Sequence, residues 1–166
     1  MPAAKYREQE WGKYVDIKKT NAAELLEKGN KSEEERYSCI YFFMSTATDP
    51  YQGIEAKTKL TRSLLQTMLM LKDDIDNLLV HTRSPLVTRD LDLFKQFDDK
   101  IIISMTIETD LEKIRKKFFT PSAPPIPARL NALKEITEAG VPTRASISPM
   151  LPLSKHIAKT LKKRNK

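Results

Sequence analysis

The feature that most constrains this fold is a recurrence of short apolar runs, each followed by a helix-like pattern. Residues 37–44 read YSCIYFFM, residues 78–81 LLVH and residues 101–107 IIISMTI, and residues 143–148 form a fourth candidate. Continuous runs of β-branched, aromatic and aliphatic residues at this length are the pattern of strands buried on both faces. The spans between them carry apolar residues three and four apart. Residues 54–71 set Leu60, Leu64, Leu65, Met68 and Leu71 on one stripe. Residues 129–139 do the same with Leu130, Leu133 and Ile136, and Gly140 closes that helix. Shorter helices are predicted over residues 21–27, with Asn21 as cap, and over residues 85–97 and 110–118. Tyr14, Val15 and Ile17 suggest a weak first strand, and residues 121–127 (PSAPPIP) an interruption, since proline lacks the donor a helix needs. Strands alternating with helices predict right-handed βαβ units, hence an α/β fold with a parallel sheet and alternating helices.

In such sheets functional groups collect beyond the carboxyl ends of the strands. Here those ends read TATD (46–49), HTRS (81–84), TIET (106–109) and Ser148-Pro149. They are polar, small or charged directly after apolar runs. A closed eight-stranded barrel takes about 250 residues. A chain of 166 residues with four good strands fits an open or partial barrel.

Composition narrows the chemistry. Cys39 is the single cysteine, which excludes an internal disulfide and any cluster held only by this chain's thiolates. Gly12, Gly29, Gly53 and Gly140 form no glycine-rich phosphate cradle. The net charge is +7, but Lys155, Lys159, Lys162, Lys163, Arg164 and Lys166 supply six of the seven, so the body is nearly neutral. Global charge is thus a poor argument for nucleic-acid binding. The N-terminal residues lack the apolar core of a signal peptide, and no apolar run approaches the ~20 residues of a membrane span. The expected compartment is the cytoplasm.

One ordered series of residues carries a resemblance. Thr48-Asp49-Pro50-Tyr51-Gln52, Glu55 and Leu60-Thr61-Arg62 resemble the T-D-P-Y-Q…E…L-T-R signature of the spore-photoproduct-lyase-like (DNA repair photolyase-like) radical S-adenosylmethionine family. Thr82-Arg83-Ser84-Pro85-Leu86-Val87 and Arg89-Asp90 are similar to its T-K-S-x-L-V-x-R-D. The series continues through Ser104, Pro121-Ser122-Ala123-Pro124, Arg129-Leu130, Ala139-Gly140-Val141-Pro142 and Ser148-Pro149-Met150-Leu151-Pro152. Trp11-Gly12 and residues 18–26 (KKTNAAELL) are similar to the preceding segment, so the likeness covers about residues 6–158.

The resemblance implies a partial (β/α)6 TIM-like barrel and a 4Fe–4S cluster that splits S-adenosylmethionine to a 5′-deoxyadenosyl radical. The family holds its cluster with a C-x-x-x-C-x-x-C loop after the first barrel strand, and no such loop occurs here. The chain is therefore expected to be an internal portion of such a domain over residues 1–152, with a basic C-terminal helix or tail over residues 153–166. Alone it is expected to be catalytically inert.

The resemblance also implies cofactor-binding roles, each with a structural alternative. Thr48 and Asp49 would meet the amino end of S-adenosylmethionine, or Asp49 makes an Asx turn before Pro50. Glu55 is a site carboxylate or a partner of a helix dipole. Arg83 stands where the family often has Lys. It would grip the cofactor carboxylate bidentately, or pair with Asp90 or Glu108. Ser104 points into the barrel toward the cofactor or is a small core residue. Arg129 faces the cofactor or ties down the PSAP turn. Cys39, Tyr37, Tyr41, Phe42 and Phe43 are expected in the core, and neither His81 nor His156 has a ligand-spaced partner for a metal. Partners expected are a cysteine-bearing N-terminal half or a second copy pairing through exposed barrel edges. Nucleic-acid contact through the lysine-rich tail is the rival to a frayed end there.

Overall fold

The computed structural model describes residues 21–28, 40–45, 48–118 and 123–162. The expected strand at residues 14–17, the solvated link at 31–36, Cys39 and the tail beyond 162 lie outside the described residues. The elements are α1 (Ala22–Lys28), β1 (Tyr41–Met44), α2 (Glu55–Thr58), α3 (Leu60–Met70), β2 (Asn77–Thr82), α4 (Leu91–Phe94), β3 (Ile101–Thr106), α5 (Glu112–Phe118), α6 (Ile126–Glu138), β4 (Thr143–Ser146) and α7 (Ile157–Lys162). Turns of 3-10 helix at Lys72–Asp74, Pro85–Asp90 and Lys95–Lys100 complete the connections.

The four strands form one all-parallel sheet in the order β1-β2-β3-β4, with helices between successive strands, as the alternation predicts. Register aligns Phe42 with Leu78 and Ile101, and Met44 with Val80 and Ile103. Sequential parallel strands with right-handed crossovers carry their helices on one side. That side holds the core. Leu78, Val80, Ile101, Ile103 and Met105 are buried with Leu65 and Met68 of α3, Phe94 of α4, and Leu130, Leu133 and Ile136 of α6. Each such side chain contributes roughly 1.5–3 kcal/mol by leaving water.

The expectation of strands buried on both faces holds along β3, where five of six residues are buried, and is corrected for β1 and β2. Burial alternates along β1 and β2. Tyr41 is 72% exposed and Phe43 51%, so they are not core, while Phe42 and Met44 pack against it. The cause is a single helical layer: among the described residues, no element covers the second face of β1.

Three helices also differ from their predicted extent. The helix expected over 54–71 breaks at Lys59 (φ 53, ψ 28), whose N–H still bonds the Glu55 carbonyl at 3.1 Å. The helix expected over 85–97 is mostly 3-10. Its buried Val87 and Asp90 are three apart, the 3-10 period, and the closing 3-10 turn Lys95–Lys100 is interrupted at Asp98 (φ 55, ψ −126). Inside the proline-rich segment, α6 already starts at Ile126 with a proline in its first turn, where the missing donor has no partner to lose. Finally, the tail expected to fray (155–166) is described only to residue 162, and that part carries helix α7, docked after β4. Leu151 N–H bonds the Glu108 carbonyl (3.0 Å), and the Thr109 hydroxyl bonds the Pro152 carbonyl (2.7 Å). The Ser154 N–H meets Asp110 (2.8 Å), and Ile157 and Leu161 pack on the core.

Candidate functional site

The second face of the sheet is apolar low down and polar toward the carboxyl ends of the strands. Parallel register places His81 of β2, Ser104 of β3 and Arg144 of β4 side by side. Strand alternation turns all three away from the face that bears Val80, Ile103 and Met105. They are bonded in a row. Arg144 Nε donates to Ser104 Oγ at 3.1 Å, and Ser104 Oγ lies 3.0 Å from His81 Nδ1. The other ring nitrogen, Nε2, is 2.9 Å from Thr106 Oγ1. Phe43 of β1 meets the imidazole edge to face, with ring centroids 6.1 Å apart. Ser104 and Thr106 are buried, His81 is half-buried and Arg144 is exposed. Burial, and next the positive charge of Arg144, hold the His81 pKa below 6.5. The ring is therefore neutral near pH 7, one nitrogen donating and the other accepting.

Above the row, Asp49 joins two strand ends. Its Oδ1 accepts from Tyr51 N–H (2.9 Å) and the Thr82 hydroxyl (2.6 Å), and its Oδ2 from Arg83 N–H (2.9 Å). The first of these is the Asx turn expected before Pro50. After β3, Glu108 is wholly buried. Its Oε2 accepts from Arg129 Nη1 at 2.5 Å, and its Oε1 lies 3.3 Å from an Nη of Arg83. Arg129 also donates to the carbonyls of Pro124 (3.0 Å) and Thr106 (3.2 Å), so it ties down the proline turn. Its Nη2 has no hydrogen-bond partner among the described residues.

The six expected cofactor residues thus fall into three places. Asp49 and Arg83 gather at the ends of β1 and β2, where both act electrostatically on His81, and Ser104 lies within β3 beside that histidine. Thr48 is exposed beside them. Arg129 sits beneath, engaged by Glu108. Glu55 is elsewhere, on the helix side, 2.8 Å from Arg89 Nη2 and close to Asp90 and Tyr51. Sequence reasoning passed over Arg144, and placed His81 and Thr106 among the strand ends without giving either a role. A signal for β3 was present: Ser104, Thr106 and Glu108 alternate with Ile103, Met105 and Ile107, a polar half-face inside an apolar run. Among the described residues, no group of three His, Cys, Asp or Glu could hold a metal ion. None of their helices is long and apolar enough to cross a membrane.

No protein-family model matches the chain, and no solved structure does. Uncharacterized protein MJ0683 of Methanocaldococcus jannaschii is 35% identical over 147 residues, which cover 89% of this chain and 51% of that protein. Uncharacterized protein ORF301 of Acidianus two-tailed virus is 32% identical over 145 residues, 87% of this chain and 45% of its own length. The chain spans about half the length of these curated relatives.

Proposed function

We propose that this chain forms the cofactor-side wall of an S-adenosylmethionine-binding domain built as a partial (β/α)6 barrel. One observation carries this: the polar row His81–Ser104–Arg144 crosses the open face of a parallel sheet and leads, through His81, to the carboxyl ends of β1 and β2, where Asp49 and Arg83 lie. Ligand sites of α/β folds collect there. The guanidinium of Arg83, 41% exposed, would take the cofactor carboxylate, and Thr48 with the outer oxygen of Asp49 its ammonium group. Ser104, covered by its neighbours, would act on the cofactor through His81 and Arg144.

In the family that this chain resembles, the cofactor is cleaved reductively at a 4Fe–4S cluster. Three thiolates hold such a cluster and this chain has one cysteine, so its residues do not fit the group, and no step through a cluster is assigned to them. The cysteines would come from further polypeptide packed on the open face, against Tyr41 and Phe43. The resulting protein, rather than this chain, would be the enzyme.

Equilibrium dialysis of the folded chain against labelled S-adenosylmethionine tests this. The expected result is saturable binding that Arg83→Ala weakens about tenfold, the scale of one charge-assisted contact. A folded chain that retains no label at millimolar cofactor would end the assignment.

A further inference from the structure

The arginines of this protein are not alike. Six lie among the described residues, and five pair with carboxylates: Arg62 with Asp90 and Asp92, Arg83 with Glu108, Arg89 with Glu55 and Asp90, Arg115 with Glu112, and Arg129 with Glu108. The exception is Arg144. It is exposed on β4, the edge strand beside β3, and its bond to Ser104 goes through Nε to a neutral hydroxyl. We infer that Arg144 is a receptor for an oxyanion, the carboxylate or phosphate group of a small molecule that lies on the sheet's open face.

Three physical points support the inference. The first is order. An exposed arginine ordinarily keeps its rotamer freedom, worth up to about 2 kcal/mol of entropy. Here the base of the guanidinium is pinned to Ser104, itself positioned by His81 (3.0 Å), which is fixed in turn by Thr106 (2.9 Å). A chain of contacts through three side chains, two of them buried, holds one surface cation. Solvation alone requires no such support.

The second point is what the pinning leaves open. Nε is the only guanidinium nitrogen of Arg144 with a hydrogen bond among the described residues. The two Nη groups can form the fork that receives the paired oxygens of a carboxylate or phosphate. The third is charge. The carboxylates that act on His81, the hub of the row, are Asp49 and Glu108. Asp49 accepts three hydrogen bonds, one from its own loop and two from the end of β2, and Glu108 is engaged by Arg129 and Arg83. Neither neutralises Arg144. Magnitude limits the ligand as well. Strands lie about 4.8 Å apart, so Phe43, three strands away, is roughly 14 Å from Arg144 along a flat sheet. A small oxyanion therefore meets Arg144 and the imidazole edge without needing the aromatic wall. This holds whether or not the domain binds S-adenosylmethionine, for which Arg83 is the proposed cation.

The test is a nitrogen-15 NMR titration of the whole chain, following the Arg144 Nε–Hε signal and the His81 ring nitrogens. The probes are inorganic phosphate, sodium benzoate and, at matched ionic strength, sodium chloride. Both signals should move saturably with phosphate, benzoate or both, but not with chloride. The tighter of the two probes identifies the oxyanion. Arg144→Gln should abolish the response. Arg144→Lys, which keeps the charge but loses the fork and the Nε tether, should weaken it about tenfold. Ser104→Ala, which keeps the guanidinium but frees it, should weaken it severalfold. Shifts that are linear and equal for all three salts would overturn the inference. So would a response in His81 that persists in Arg144→Gln with an otherwise unchanged amide spectrum.

Discussion

Two polar systems lie on opposite sides of the same sheet, and they are built by opposite rules. On the helix side, Asp90 accepts from the Tyr51 hydroxyl (3.0 Å), from Arg62 (2.8 Å) and from Arg89 Nε (2.9 Å) and Nη2 (2.7 Å). Glu55 takes the same Arg89 nitrogen at 2.8 Å, and Arg62 reaches on to Asp92. Each charge there has an opposite charge beside it. On the open face, the row from Phe43 to Arg144 contains one full charge, matched by hydroxyls and an imidazole. Burial explains the difference. A buried charge without a counter-charge costs several kcal/mol, so the network under α2 and α3 had to close. On the open face water supplies the missing solvation, so a cation can be left for a ligand.

The sharpest way to break this comparison is to open the closed network. Asp90→Ala leaves Arg62 and Arg89 competing for Asp92 and Glu55, and leaves the buried Tyr51 hydroxyl without its acceptor. The expected loss is about 3–5 kcal/mol of unfolding free energy in urea. A loss below about 1 kcal/mol would mean that the network is solvated after all. Glu108→Gln comes next, at roughly 2–4 kcal/mol, because an amide keeps a hydrogen bond to Arg129 but not the charge. Replacing both partners, Glu108→Leu with Arg129→Met, should recover much of that loss. If the double variant is no better than the sum of the single changes, the carbonyls of Pro124 and Thr106 are the reason Arg129 is there.

Acid should separate the two sides by pH. Desolvation pushes the Asp90 carboxyl up, but hydrogen bonds from Arg89, Arg62 and Tyr51 outweigh it and leave it below 3.8. A depressed carboxylate contributes stability above its unfolded pKa, lost as pH falls through the folded one. Asp90 therefore acts below about pH 4. His81 is depressed by burial first and by Arg144 next, with Arg83 adding and Asp49 and Glu108 opposing. The unfolded imidazole then binds its proton before the folded one does, so stability falls as the pH drops below 6.5. The urea midpoint should decline gently below pH 6.5 and steeply below pH 4, and His81→Asn should remove only the gentle part.

How much of this was legible beforehand follows the same division. The helix-covered side was readable, because burial writes itself as apolar periodicity: Leu65, Met68, Leu130, Leu133 and Ile136 are core as their spacing predicts. The strand ends were readable as places, since Asp49 and Arg83 do gather at them. The row was not, because it depends on register. Nothing in the local sequence says that residue 81 lies opposite 104 and 144, since parallel pairing is fixed by packing of the far face. Tyr41 and Phe43 misled for a related reason: an apolar run reports what can be covered, and here only one side is.

The smallest effect is the most informative about the open face. Arg144→Gln removes an exposed side chain with no ion pair among the described residues, so stability should change by no more than about 0.5 kcal/mol. The same variant should still alter His81. Arg144 is the second cause of the low imidazole pKa, after burial, and among the charges it is first. Without it, Asp49 and Glu108 stand against Arg83 alone, and the ring should titrate at a higher pH. Its nitrogen signals would show this directly. A raised pKa at unchanged stability would mean that the row is an electrostatic unit in which a ligand on Arg144 is felt at the imidazole, since an oxyanion there would act in the same direction. An unmoved pKa would mean that burial alone holds His81 neutral, and that Arg144 is joined to it by geometry only.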